Sequence, residues 1–218
     1  MSKIMNVRNA VQLIKSGDTI LAGGFYGNGT PVKIVDELLL QGQNNLTVVN
    51  CDGNTVEKGV GRLIVAGQVS KFICSWCGRL PLVSQLAEEG KIELELCPQG
   101  SLAERIRAGG YGLGGILTPT GLNTMVEENW AERVHLNGKN WLYQTPISGN
   151  VAILEAETAD EFGNIIFHLT QRLFSPVMAF AADLVIVEVT KEIVPAGALD
   201  PDAIHVPGVV VDILVKGW

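Results

Sequence analysis

With 218 residues, 47% of them hydrophobic and 18% charged, the chain can bury a large core, which excludes a disordered polypeptide. Sixteen Lys and Arg against 23 Asp and Glu leave a formal charge of −7, the wrong sign for a nucleic-acid partner. The richest apolar stretch, Val177–Val187, is broken by Asp183, and the opening MSKIMNVRNAVQLIK has no apolar signal core, so neither a membrane span nor export is expected. Four cysteines are too few to staple a secreted fold of this size; a cytoplasmic protein with reduced thiols is expected.

In chain order, Val7, Ala10, Val11 and Ile14 recur at helical spacing behind Asn6 as N-cap, and Gly17 supplies the stop. Thr19–Ala22 is a short apolar strand ending in Gly23-Gly24. Thr30-Pro31 then reads as N-cap and first helical residue, Ile34, Val35, Leu38 and Leu39 share one face, and Gly42 ends the helix. Leu46–Asn50, Phe72–Cys74 and Glu93–Leu96 follow as short strands. Between and after them lie helical segments including Leu82–Glu89 and Ser101–Ala108, the latter opened by a Ser101/Glu104 capping box.

This alternation predicts an α/β fold, an open and mostly parallel sheet with flanking helices, in a single domain over residues 1–218. From Gly109 the character changes. GGYGLGG leads into Thr118-Pro119-Thr120-Gly121, and Asn137-Gly138 between Arg133–Leu136 and Lys139–Tyr143 predicts a hairpin, hence a β-rich excursion. Val151–Glu157 and Leu184–Val189 read as further strands, with a helix near Pro176–Ala182. Ligands of parallel sheets gather beyond the carboxyl ends of the strands. The loops Gly23–Gly29, Asn50–Asn54, Ser75–Gly78 and Pro98–Gly100 are therefore expected along one edge.

The string ILAGGFYGNGTP has two readings that stand side by side. Its glycines either relieve a tight turn, or let a ligand reach backbone amides at an anion-favouring helix N-terminus. Gly110, Gly112 and Gly115 mimic a dinucleotide fingerprint but follow a helix where a strand is required, and no Walker lysine follows any glycine loop. Cys51, Cys74, Cys77 and Cys97 fall at or just after strand ends and so near one another. Without a second CxxC beside Cys74-x-x-Cys77, buried reduced thiols are expected and no metal. His135, His168 and His205 show no metal spacing, no G-x-S-x-G elbow is present, and Glu88-Glu89 and Glu127-Glu128 read as solvated helix faces. Read from its residues alone, the chain has a binding edge but no chemical engine.

Ile20-Leu21-Ala22, Gly23-Gly24-Phe25, Tyr26-Gly27-Asn28 and Gly29-Thr30-Pro31 together resemble the glycine motif of family I CoA-transferase alpha subunits, of the 3-oxoacid or acetate/butyrate–acetoacetate type. PQGSLAERIRAGG (Pro98–Gly110), GLGGILTPTG (Gly112–Gly121) and Gly163-Asn164 resemble the family as well, so the likeness runs nearly end to end. It implies a subunit that helps move CoA from an acyl-CoA to a free short-chain or 3-oxo carboxylic acid. In that ping-pong reaction the nucleophilic glutamate belongs to a beta subunit, and an assembly such as α2β2 is implied. CoA and acyl-CoA enter as substrates, with no permanently bound cofactor. By the same resemblance Gln99 supports the oxyanion of the tetrahedral intermediates. Gly23, Gly24, Phe25, Tyr26, Gly27, Asn28 and Gly29 form the CoA-binding loop, and Cys51, Asp52, Cys77, Gly78 and Leu80 lie at the substrate edge.

The sequence departs from the family pattern at Leu80 and Leu82, which replace an amide and a carboxylate, at Cys51, and at Arg172-Leu173-Phe174-Ser175. Such apolar walls are expected to favour a less polar or differently shaped acyl acceptor over acetoacetate. Two other classes compete. A stand-alone enzyme on the related sugar-phosphate isomerase scaffold needs an acid/base pair and phosphate contacts. A non-catalytic effector-binding domain expects a basic helix-turn-helix ahead of the core.

Overall fold

The computed structural model describes residues 2–218. Alternating strands and helices build the first half: α1 (Val7–Val11), β1 (Thr19–Ala22), α2 (Val32–Gln41), β2 (Leu46–Val49), α3 (Gly61–Val65), β3 (Val69–Cys74), α4 (Pro81–Glu88), β4 (Glu93–Leu96) and α5 (Gln99–Gly110). A small antiparallel sheet follows, with β5 (Ile116–Thr118), α6 (Met125–Trp130), β6 (Glu132–Leu136) and β7 (Lys139–Gln144). The chain then returns through β8 (Gly149–Asp160), β9 (Ile165–Ile166), α7 (Ser175–Phe180), β10 (Ala182–Val194) and β11 (Ile213–Lys216). The main sheet runs β11-β10-β8-β1-β2-β3-β4, all parallel along that path, with β9 antiparallel on β8; the small sheet runs β5-β7-β6.

Alternating side chains feed two cores, as the two-residue period of a strand requires. Ile20, Val48 and Phe72 face the layer of α1–α4, while Leu21, Val49 and Ile73 face that of α5 and α7. Asn137 and Gly138 take φ of 53° and 73°, the backbone of a type I′ turn, and so the expected hairpin forms as β6-β7.

Two helix starts differ from the sequence reading. Pro31, not Thr30, stands at the N-cap of α2, and the Thr30 hydroxyl instead donates to the Gly23 carbonyl at 3.0 Å. The orphan amides of the first turn find a partner 155 residues away: Glu188 Oε2 on β10 accepts from the N–H of Lys33 (2.8 Å) and of Ile34 (3.1 Å). Helix α5 begins at Gln99, not Ser101, because the first helical bond runs from Leu102 N to the Pro98 carbonyl at 2.8 Å. Ser101 is therefore buried inside the helix, and no Ser101/Glu104 box forms.

Helix α5 is tied to the sheet by a buried ion pair, Arg105 Nη1 to Glu95 Oε1 at 2.6 Å, with Arg105 Nε donating to the Thr145 carbonyl at 2.8 Å. Gly163-Asn164 has an architectural use. Asp160 accepts from the Asn164 backbone and side chain, and Asn164 Oδ1 accepts from Gly208 N, which pins the C-terminal segment to the end of β8. Among the described residues no helix is long and apolar enough to cross a membrane.

Candidate active-site edge

Strand β1 lies between β2 and β8, the point where the strand order reverses and where open α/β sheets bind ligands. The glycine string leaves β1 here. Phe25 and Asn28 exchange backbone hydrogen bonds of 3.0 and 2.9 Å around Tyr26 (φ 60°) and Gly27 (φ 80°), a type I′ turn. At Gly24 (φ 99°) a Cβ would stand 2.2 Å from Thr30 Oγ1 and 2.7 Å from Thr30 N, so the loop closes on itself only without a side chain there.

The string forms the tight turn, and part of its donor set, with the start of α2, is already taken up inside the protein. Glu188 already occupies the start of α2, while Phe25, Asn28 and Tyr26 have their N–H groups engaged within the protein. Phe25 and Asn28 are exposed and Tyr26 and Gly27 half-buried, whereas Gly23, Gly24 and Gly29 are buried. The loop thus offers side chains and α-carbon surface more than free amides.

Two carboxylates flank this turn on opposite sides. Asp52, buried, accepts from Tyr26 N (3.0 Å), Asn54 N (3.2 Å) and Asn54 Nδ2 (2.9 Å); burial still pushes its pKa above the ordinary carboxylate value. On the other side Glu155 accepts from the Gln171 side-chain amide at 2.7 Å. Burial raises its pKa too. An open cleft of about 490 Å³ lies here between the turn, Glu155, His168 and Gln171. Asn50 completes the frame, donating from Nδ2 to the Ala22 carbonyl at 2.9 Å and accepting Gly53 N–H at 2.9 Å.

The loops after β2, β3 and β4 do meet at this edge. Ser75 donates from its N–H (3.0 Å) and hydroxyl (2.7 Å) to the Cys51 carbonyl, and Cys97 N donates to the Cys74 carbonyl at 2.9 Å. All four cysteines are buried free thiols. The neighbouring Cys74 thiol, followed by Ser84, pulls Cys77 down to about 6, whereas Cys74 is raised by its bond to Cys77 and by burial. Gly78 is exposed and packs its α-carbon against the Trp76 ring.

Leu80 is placed otherwise than the sequence reading has it. It has no exposed surface and sits in the core beside Phe72, so it lines the interior and not the edge. Leu82 is half-buried on α4, and Ser175 is buried beneath Gly23 with its hydroxyl unpartnered.

Gln99 opens α5, so it is a helical residue at the mouth of the β4 loop rather than a loop residue. It is exposed, and among the described residues its side-chain amide has no hydrogen-bond partner. The three histidines stand in separate surroundings: His135 on Asn140, His168 near Glu157, and His205 between Phe167 N and Arg172. Sequence reasoning missed Asn50, Glu155, Glu188 and Gln171, whose roles depend on partners far along the chain. A local signal existed only for Asn54, an Asn two residues beyond an Asp beside a glycine, which takes φ 63°.

Comparison with known proteins gives the site a context. The family model described as Coenzyme A transferase matches residues 4–217. The acetate CoA-transferase subunit alpha of Escherichia coli is 42% identical over 214 residues, 98% of this chain and 96% of that protein. The acetoacetyl-CoA:acetate/butyrate CoA transferase alpha subunit of Clostridium acetobutylicum is 40% identical over 99% of this chain and 98% of its own. Among solved structures, an Escherichia coli acyl-CoA transferase in a thioester complex with CoA superposes with a TM-score of 0.89 at 25% identity, over 99% of this chain. The chain spans about half of that longer polypeptide, 47%.

Proposed function

The chain belongs to the coenzyme A transferase family, as an alpha subunit, and from that premise we propose that it supplies the oxyanion support and one substrate wall of an active site completed by a beta subunit. The substrates in this reading are an acyl-CoA and a free carboxylic acid of the short-chain or 3-oxo class. The partner's glutamate attacks the thioester carbonyl and expels CoA as thiolate, leaving an acyl-glutamyl anhydride. The thiolate then attacks the glutamyl carbonyl and releases the first carboxylate, so that CoA is held as a glutamyl thioester. The acceptor carboxylate reverses both steps.

Each attack creates a tetrahedral oxyanion, and a donor aimed at that charge acts in the transition state alone. Gln99 carries the reading. Its unpartnered amide stands at the first turn of α5, beside the strand-end loops, on a helix anchored by the Arg105–Glu95 pair. Consistent with a nucleophile from elsewhere, the two buried or half-buried glutamates beside the glycine turn are already committed, Glu155 to Gln171 and Glu188 to α2.

The test is co-expression with a candidate beta subunit and an acyl-CoA/carboxylate exchange assay. The pair should turn over and the chain alone should not. In the pair, Gln99→Ala should lower kcat by about 10²–10³, the usual cost of one oxyanion donor, with unfolding unchanged. Turnover by the chain alone, or an unaltered kcat in the variant, would overturn the assignment.

A further inference from the structure

The replacement at Leu80 is buried, but the residue before it faces outward. Arg79 is exposed on the turn between β3 and α4, and its guanidinium carbon lies 3.8 Å above the centre of the Tyr26 ring. Tyr26 is itself held, its φ set by the type I′ turn and its N–H fastened to Asp52. Stacking on a fixed ring orients the planar guanidinium and leaves its edge donors free.

On the same turn the exposed Lys58 lays its stem along Gly27, with Cβ 3.4 Å from where a Gly27 Cβ would stand. Among the described residues neither Arg79 nor Lys58 pairs with a carboxylate, whereas nearby Arg62 is bound to Asp36. Of the acidic neighbours, Asp52 is buried and consumed by N–H donors, and Glu57 shares a cleft wall with Lys58 without forming a bridge. In a chain of net charge −7, two uncompensated cations thus meet at one turn of the ligand-binding edge.

We propose that Arg79, stacked on Tyr26, and Lys58 beside Gly27 bind an anionic group of a substrate. That group is the 3′-phosphate of CoA or the second carboxylate of a dicarboxylic acyl acceptor. Both present the planar or forked oxygens that an arginine edge meets with two parallel hydrogen bonds. The assignment deepens the CoA-transferase reading and rests on the glycine edge being its substrate wall.

The experiment is calorimetric titration of the assembled alpha–beta pair, wild type and Arg79→Gln, with four probes: CoA, 3′-dephospho-CoA, succinate and butyrate. The expected result is that the variant weakens binding of CoA, or of succinate, by about tenfold, equivalent to about 1.4 kcal/mol. The less charged member of that couple should be unaffected. Loss confined to the CoA couple identifies the phosphate, and loss confined to the acids identifies the carboxylate. Equal loss for all four probes, no loss for any, or a wild type that does not prefer the more anionic members overturns the proposal. So does a variant that weakens only the assembly of the pair in sedimentation, since Arg79 then serves the subunit contact. Failure of the CoA-transferase reading is seen separately, as absence of exchange by the wild-type pair while these binding differences remain measurable.

Discussion

Removing Arg105 tests how α5, and with it Gln99, is held. The Arg105 and Glu95 side chains are 6% and 7% exposed, so Arg105→Ala leaves a carboxylate in the interior without its main partner. Breaking such a pair from one side costs about 3–5 kcal/mol. Lys71 Nζ, 3.4 Å from Glu95 Oε2, still compensates in part, which argues for the lower end. In a chain of this length each kcal/mol moves Tm by about 2–4 °C, so a loss of about 3 kcal/mol corresponds to about 6–12 °C. Urea and thermal unfolding of the full chain measure it.

Replacing both members, Arg105→Met with Glu95→Leu, should return most of that loss, because an apolar pair of similar volume needs no desolvation of charge. The two singles and the double then form a cycle whose coupling energy reports the pair itself. An Arg105→Ala variant within about 1 kcal/mol of wild type, below the range for a buried pair, would refute the argument. So would a double variant no more stable than the single.

Two further outcomes are expected. Burial raises the pKa of Glu188 despite its two amide donors, so the folded state holds that proton more tightly than the unfolded chain. Its contribution is fully present below the ordinary carboxylate pKa and falls as pH rises through the raised folded value. Glu188→Gln should therefore flatten the pH dependence of unfolding free energy above the ordinary carboxylate pKa; a wild type that gains stability relative to the variant as pH rises would contradict this. Cys77, held down to about 6 by Cys74 and then Ser84, should be the first thiol alkylated by iodoacetamide. Its rate should level off by about pH 7, because the thiolate is the nucleophile; a rate still climbing above pH 8, or first modification at Cys51, whose pKa burial raises, would count against it.

Where sequence and structure part company, the reason is distance along the chain. The short strands Thr19–Ala22 and Glu93–Leu96 and the Asn137-Gly138 hairpin were readable because each is announced within a few residues, by apolar runs and by turn chemistry. The start of α2 was misread because Thr30 looks like a cap, while the acceptor of the first helical amides, Glu188, sits on β10, two strands away from β1 and next to β8. The two-residue β9 was invisible because a strand that short is defined by the partner that accepts it, and β11, as long as β1 and β4, was passed over. At the edge itself Gln99 and the glycine turn were legible through motif. Glu155 was not, since its donor comes from Gln171, and Leu80 could not be told from a wall residue until its burial against Phe72 was seen.

Local chemistry in the sequence thus determined the alternating α/β order, the hairpin at Asn137-Gly138, and the family to which the chain belongs. A positive φ or an apolar alternation needs no information from elsewhere in the chain. Only the tertiary structure decided which polar groups are spent and which are free. Glu188 and Asp52 are consumed by backbone amides, while among the described residues Gln99, Arg79 and Lys58 have no side-chain hydrogen bond or ion pair at the same edge. Hydrogen bonds and ion pairs saturate, so a side chain's availability depends on every donor and acceptor that folding brings within about 3 Å of it.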